Sequence, residues 1–240
     1  MAAFAVGLLA AGAAGAETPP TGTLAGFGSV AGAPLAAPWV YAGLPDQRPP
    51  ATRYSLATLD GQTVLRVQAD RSYGNLLHPL PGALAQRLRW RWRVDQPLAQ
   101  ADLKHKAGDD AALKVCALFD MPRAQVPWVE RPLLAIAEAK TGQALPNATV
   151  CYVWDPTWPA ESLVPNAHSR RVRFITLNGP AGQWHSVQRD LARDFLRAFG
   201  DEARSVPPLL AVAVGADADN TGGSSLGGLA ELQHLPAPPP

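Results

Sequence analysis

Leu88-Arg89-Trp90-Arg91-Trp92-Arg93-Val94 is the stretch that decides the fold. Side chains along a strand point alternately to opposite faces. Leu88, Trp90, Trp92 and Val94 therefore share one apolar face, and Arg89, Arg91 and Arg93 share a charged one. This pattern predicts a strand half buried in a sheet. Working outward, Thr63–Gln68 alternates in the same way, and so does the series Leu113, Val115, Ala117, Phe119. Val150–Trp154, Arg171–Leu177, Trp184–Gln188 and Leu209–Val214 read as further strands, with Leu229–Leu232 a weaker last one and a short strand near Trp39–Tyr41. Short strands separated by turn residues predict a sandwich or jelly roll. Two helices interrupt them. Pro132–Lys140 has proline in its first turn and Gly142 beyond its end. Asp190–Phe199 aligns Leu191, Phe195 and Phe199 on one face, and Gly200 is expected to close it in a left-handed conformation.

The chain has 240 residues, 24 of them proline and 21 glycine, which suits short elements and many turns. One domain of this length is ordinary for an all-β sandwich. The formal net charge is +1, so nothing draws the chain generally toward nucleic acid or an anionic membrane. Residues 1–16 read as a signal peptide: Phe4–Ala14 is a short apolar run, and Ala14-Gly15-Ala16 supplies small residues for cleavage. No Lys or Arg precedes that run. The run is shorter than the ~20 residues a membrane span needs, and no transmembrane segment is expected in the mature chain. The expected organisation is a lead-in rich in Ala, Gly and Pro over 17–50, a β-sandwich domain over 51–235 and a Pro-rich tail over 236–240, in a periplasmic or secreted protein. In such a compartment a disulfide between Cys116 and Cys151 is allowed, and two free core cysteines are equally compatible with the sequence.

Several places could carry chemistry. Asp102, Lys104, Asp109 and Asp110 fall in one turn between two predicted strands, where carboxylates beside lysines can hold a cation, orient a sugar or exchange protons. The same composition is also ordinary turn chemistry. Asp217, Asp219 and Asn220 offer oxygens at a spacing that suits a hard cation such as calcium, although the further ligands of an EF-hand are missing. Arg89, Arg91 and Arg93 with Arg171 and Arg173 could form a basic face for a small anionic ligand, or pair with acids on neighbouring strands. Of the seven tryptophans, Trp128 and Trp158 lie in Pro-rich loops and could stack on sugar rings. His168 and His185 have no nucleophile placed beside them by spacing, and neither a P-loop nor an H-E-x-x-H motif occurs.

Read together, these segments resemble a known family. They are Trp90-Arg-Trp92-Arg-Val94-Asp95, Asp102 with Lys104 and Gly108-Asp109-Asp110, Phe119-Asp120, Tyr152-Val153-Trp154, Arg189-Asp190 with Asp194 and Phe199-Gly200, and Asp217-Ala-Asp219-Asn220-Thr221-Gly222. Their order resembles the bacterial family catalogued as domain of unknown function 3047, from about Leu65 to about Leu232. The resemblance implies an exported bacterial protein with a galactose-binding-like β-sandwich, and it implies no activity. The positions it carries over are Asp102, Lys104, Asp109, Asp110, Arg189, Asp190, Asp194, Asp217, Asp219 and Asn220. The chain departs from the pattern near its end, where Ala230 stands in place of an expected aspartate.

Three functions fit these readings. The first is a ligand-binding module for carbohydrate, using Trp128 and Trp158 with Asp102, Lys104, Arg189 and Asp194, and a structural calcium at Asp217, Asp219 and Asn220. The second is an enzyme acting on an envelope polysaccharide, with Asp109 or Asp110 paired with Asp217 or Asp219 as acid and base. The third is a structural or assembly protein of the cell envelope.

Overall fold

The computed structural model describes residues 23–44, 47–142 and 144–236. The expected signal peptide over 1–16 and all of the Pro-rich tail but Pro236 lie outside the described residues. Two sheets face each other. The larger has the order β1 (Val40–Ala42), β4 (Asn75–Ala83), β11 (Leu209–Asp217), β6 (Ala111–Phe119), β7 (Ala148–Trp154), β9 (Val172–Leu177) and β8 (Leu163–Pro165). The smaller has the order β10 (His185–Asp190), β5 (Arg87–Gln96), β12 (Ser224–Leu235), β3 (Gln62–Asp70) and β2 (Arg53–Leu59). Neighbouring strands run antiparallel except β7 and β9, which are parallel. The fold is thus a mostly-β sandwich with two short helices in its connections, as the alternation of β5 predicts.

Between the sheets the core is aromatic. Trp90 and Trp92 of β5, Tyr152 of β7 and Phe119 of β6 are fully buried there. Helix α2 (Leu191–Phe199) adds Phe195 and Phe199 from the apolar face read in the sequence. The lead-in also belongs to this fold. It supplies β1, and Leu24, Phe27 and Trp39 are buried in the same core.

The far face of the larger sheet is covered as well. A second, smaller cluster there holds Leu77, Leu103, Cys116, Leu118, Cys151, Val153 and Phe174. This is why all nine residues of β6 are buried, rather than only the alternate ones. Within this cluster Cys116 and Cys151, opposite each other on β6 and β7, form a disulfide. Helix α1 (Arg131–Thr141) ends at Gly142 in a left-handed conformation, φ 66°, as expected. Gly200 differs from expectation: its φ is −65°, and α2 ends without a left-handed residue because Gly200 and Ala203 keep turning in helical sense, their N–H groups reaching Leu196 and Phe199.

The five arginines do not share a face. Arg89, Arg91 and Arg93 lie on β5 of the smaller sheet, while Arg171 and Arg173 lie at β9 of the larger one. Arg91 pairs with Glu231 at 2.9 Å, Arg93 with Asp60 and Asp95, and Arg171 with Glu130 and Glu202. Acids answer four of these charges, Arg173 pairing with Asp201 and Glu202, and Arg89 instead donates to the Gln233 side chain at 2.7 Å, so the rows act as architecture.

Candidate functional site

Lys114 is the one charged residue in β6, and it is buried. The register between β11 and β6 slips between Gly215 and Asp217, so that Gly215 faces Lys114 and Asp217 faces Ala111. An irregularity of this kind re-aims a side chain at a strand end. Here it brings Asp217 onto Lys114, with Nζ donating to Oδ2 at 2.6 Å, while the Ala111 N–H donates to Oδ1 at 2.8 Å. Burial works against the lysine charge, but Asp217 and Asp109 outweigh it, and the pKa of Lys114 is raised. Gly215 makes room for this pair, because a Cβ at that position would run into Asn75 and Lys114.

Four more residues of the candidate set gather around this buried ion pair. Asp110 accepts from the Asn220 N–H and side-chain amide at 3.2 and 3.1 Å, and from the Thr221 N–H and hydroxyl at 2.7 and 2.6 Å. It pins the 219–222 loop to the start of β6. Asp109 accepts from Asn166 Nδ2 at 2.5 Å through Oδ2, and His168 Nε2 lies 3.8 Å from the same oxygen. Its other oxygen, Oδ1, is buried with no hydrogen-bond partner among the described residues. Burial first, and then the nearby Asp217, push Asp109 up to about 7. Asp219 is half buried, and its Oδ1 also lacks a partner among the described residues. Burial and the charges of Asp217 and Asp110 push it up to about 6. Asn75 Oδ1 is a third such oxygen, its amide nitrogen donating to Tyr73 at 3.2 Å.

The remaining candidates divide. Trp158 packs on the outer cluster, and the Lys104 ammonium sits 4.6 Å from its ring centre. The loop that carries Trp158 borders Asp110 through Asp155, Pro156 and Thr157. Asp102 is half exposed and closes its own turn. It accepts from the Lys104 N–H at 3.0 Å and lies 2.8 Å from His105 Nδ1, and these contacts hold its carboxyl below the usual range. Arg189 and Asp194 form a separate closed network. Arg189 bonds Asp194 at 2.8 and 2.9 Å and Glu161 at 2.6 and 3.0 Å, and Tyr152 donates to Asp194 at 2.8 Å. That network fastens α2 to the sheets. Trp128 stands 78% exposed in the loop before α1. Ala230 lies in the smaller sheet opposite Arg91, so the departure at that position falls on β12.

The calcium expectation meets a different partner: Asp217 holds the Lys114 ammonium, and Asn220 turns its amide donor toward Asp109 and Asp110. Among the described residues, no three His, Cys, Asp or Glu side chains are grouped as a metal would require. Gly223-Ser224-Ser225-Leu226-Gly227 spells G-x-S-x-G, the letters of a nucleophile elbow. An elbow needs a sharp strand-to-helix turn. Here Ser225 lies inside a strand, buried, with its hydroxyl donating to Ala112 O at 3.2 Å.

Lys114, Asn75 and Asn166 were not legible as site residues. A lysine inside the apolar run Ala111–Phe119 was the available signal for the first. The two asparagines carried none.

A family model described as a protein of unknown function, DUF3047, matches residues 37–233. Among solved structures, the endoglucanase 3 of Trichoderma harzianum from family GH12 is similar at 10% identity and a TM-score of 0.36, over 80% of this chain and 88% of that one. No curated protein matches.

Proposed function

The chain belongs to the DUF3047 family, and from that premise we propose that it is an exported binding module for a neutral, hydroxyl-rich ligand of the carbohydrate type, held where Asp109 and Asp219 flank the Lys114–Asp217 pair. One observation carries this reading. Asp109, Asp219 and Asn75 each keep a buried side-chain oxygen with no partner among the described residues. A buried polar atom left unmade costs about 1–3 kcal/mol. Hydroxyl groups of a ligand would recover that cost, and a carboxyl poised between protonation states can either donate to them or accept from them. Trp158, on the loop that borders Asp110, supplies an apolar surface for the other side of a sugar ring. The Cys116–Cys151 bond suits an oxidising compartment.

The test is a calorimetric screen of neutral oligosaccharides against the wild type and Asp219→Ala. Saturable binding that weakens about tenfold in the variant, roughly 1.4 kcal/mol, at unchanged melting temperature is the expected result. If no oligosaccharide binds the wild type, or the variant binds equally well, the reading fails.

A second reading rests on Asp109 alone. A carboxyl with a pKa of about 7 still holds its proton on half the molecules at neutrality, as a general acid requires. In that case the wild type turns over a bound oligosaccharide, and Asp109→Asn retains binding while turnover disappears. Binding without turnover in the wild type excludes it.

A further inference from the structure

Helix α1 does not lie flat on the larger sheet. Between it and the Ser169–Val172 segment is a cavity of about 320 Å³. Leu133, Leu134, Ile136, Ala137 and Leu145 form its apolar side. Two of these leave apolar surface open to water, Leu133 being 66% and Ile136 50% exposed. Ligand cavities begin at about 300 Å³. At roughly 30 Å³ per water-sized group, this one holds roughly ten heavy atoms.

The other side of the cavity is polar and is gathered at one place. Thr149 reaches it from β7, and its N–H donates to Arg171 O at 2.8 Å, which sets it beside the Ser169–Arg171 segment. The Thr149 hydroxyl is buried with no hydrogen-bond partner among the described residues. Arg170 stands at the rim with its side chain 72% exposed. Its ion pair is a long one, 3.6 Å to Glu130, and Arg171 already holds that carboxylate at 2.8 Å. Arg171 and Arg173 are in turn held by Glu202. Burial keeps His168, which forms another part of the wall, below the usual imidazole range, so it is neutral at pH 7.

We propose that this cavity binds an aliphatic monocarboxylate, with its chain against α1 and its carboxylate at Arg170 and the Thr149 hydroxyl. Arg170 supplies a planar cationic fork that matches a carboxylate, and Thr149 supplies a buried donor that no described residue uses. The inference does not depend on the carbohydrate reading, since the Asp109–Asp219 cluster supplies none of the cavity's walls except through His168.

Decanoate and decanol, titrated calorimetrically into the full chain below their aggregation thresholds, provide the test. The wild type is expected to take up decanoate saturably and more tightly than decanol. Arg170→Gln should weaken decanoate about tenfold and leave decanol unchanged. Ala137→Trp fills the cavity and should abolish the binding of both. Leu133→Asp, at a position already open to water, should weaken both and covers the case in which the tryptophan variant fails to fold. The proposal is overturned if the wild type takes up neither ligand, if decanoate binds no more tightly than decanol, or if binding survives in both cavity variants.

Discussion

At the scale of single residues, the group that matters most is Asp109, because its folded pKa of about 7 stands well above the unfolded carboxylate value of about 3.9. The folded state therefore holds this proton more firmly than the unfolded state does. The resulting contribution to stability is present in full below about pH 4 and is lost as pH rises to about 7. Asparagine cannot ionise, and its side-chain oxygen can still accept from Asn166. Asp109→Asn is thus expected to melt close to the wild type at about pH 4 and progressively above it up to about pH 7, with no further divergence beyond. Thermal melts across that range check this, and a constant difference would contradict the assignment. Lys114 makes the complementary case. Replacing it by methionine leaves Asp217 buried without its cation, which should cost about 3–5 kcal/mol in chemical denaturation. Sequence could place Asp109 in a turn, but its pKa depends on Asp217, 108 positions away in the chain, and on how many atoms cover it.

At the scale of elements, most strands were legible and the exceptions have causes. β4 contains Pro79 and Pro81, which argue against a strand. It is tolerated because β1 pairs only with Asn75–Leu77, so the prolines fall where that edge is open. β2 reads weakly by itself, although Asp60-Gly61 joins it to β3. Both of those residues have positive φ, as a two-residue hairpin requires. The α2 boundary was written more clearly. Asp190 caps it by accepting from the Arg193 N–H at 3.0 Å, and Asp190→Ala should cost about 1 kcal/mol and lower the melting temperature. An unchanged melting temperature would show that the Arg189–Asp194–Tyr152 network holds the helix without its cap.

At the scale of the whole molecule, the larger sheet is buried on both faces, and the Cys116–Cys151 bond lies in the outer of the two clusters. It joins positions 35 residues apart. Closing a loop of that length in the unfolded chain is worth about 2–4 kcal/mol, so the Cys116→Ser, Cys151→Ser double variant should lose stability of that order. A smaller loss would mean that the six-residue pairing of β6 with β7 already aligns the two positions. What the sequence determined by itself was the sandwich, the two helices and the buried face of β5, because alternation and capping are local properties that each segment carries in its own order of residues. Only the tertiary structure decided which polar residues meet. It separated Arg189 and Asp194 from Asp109 and Asp219, joined Lys114 to Asp217 across a slipped register, and opened a cavity under α1. These outcomes depend on strand order and register between distant segments, and no periodicity within a segment records them.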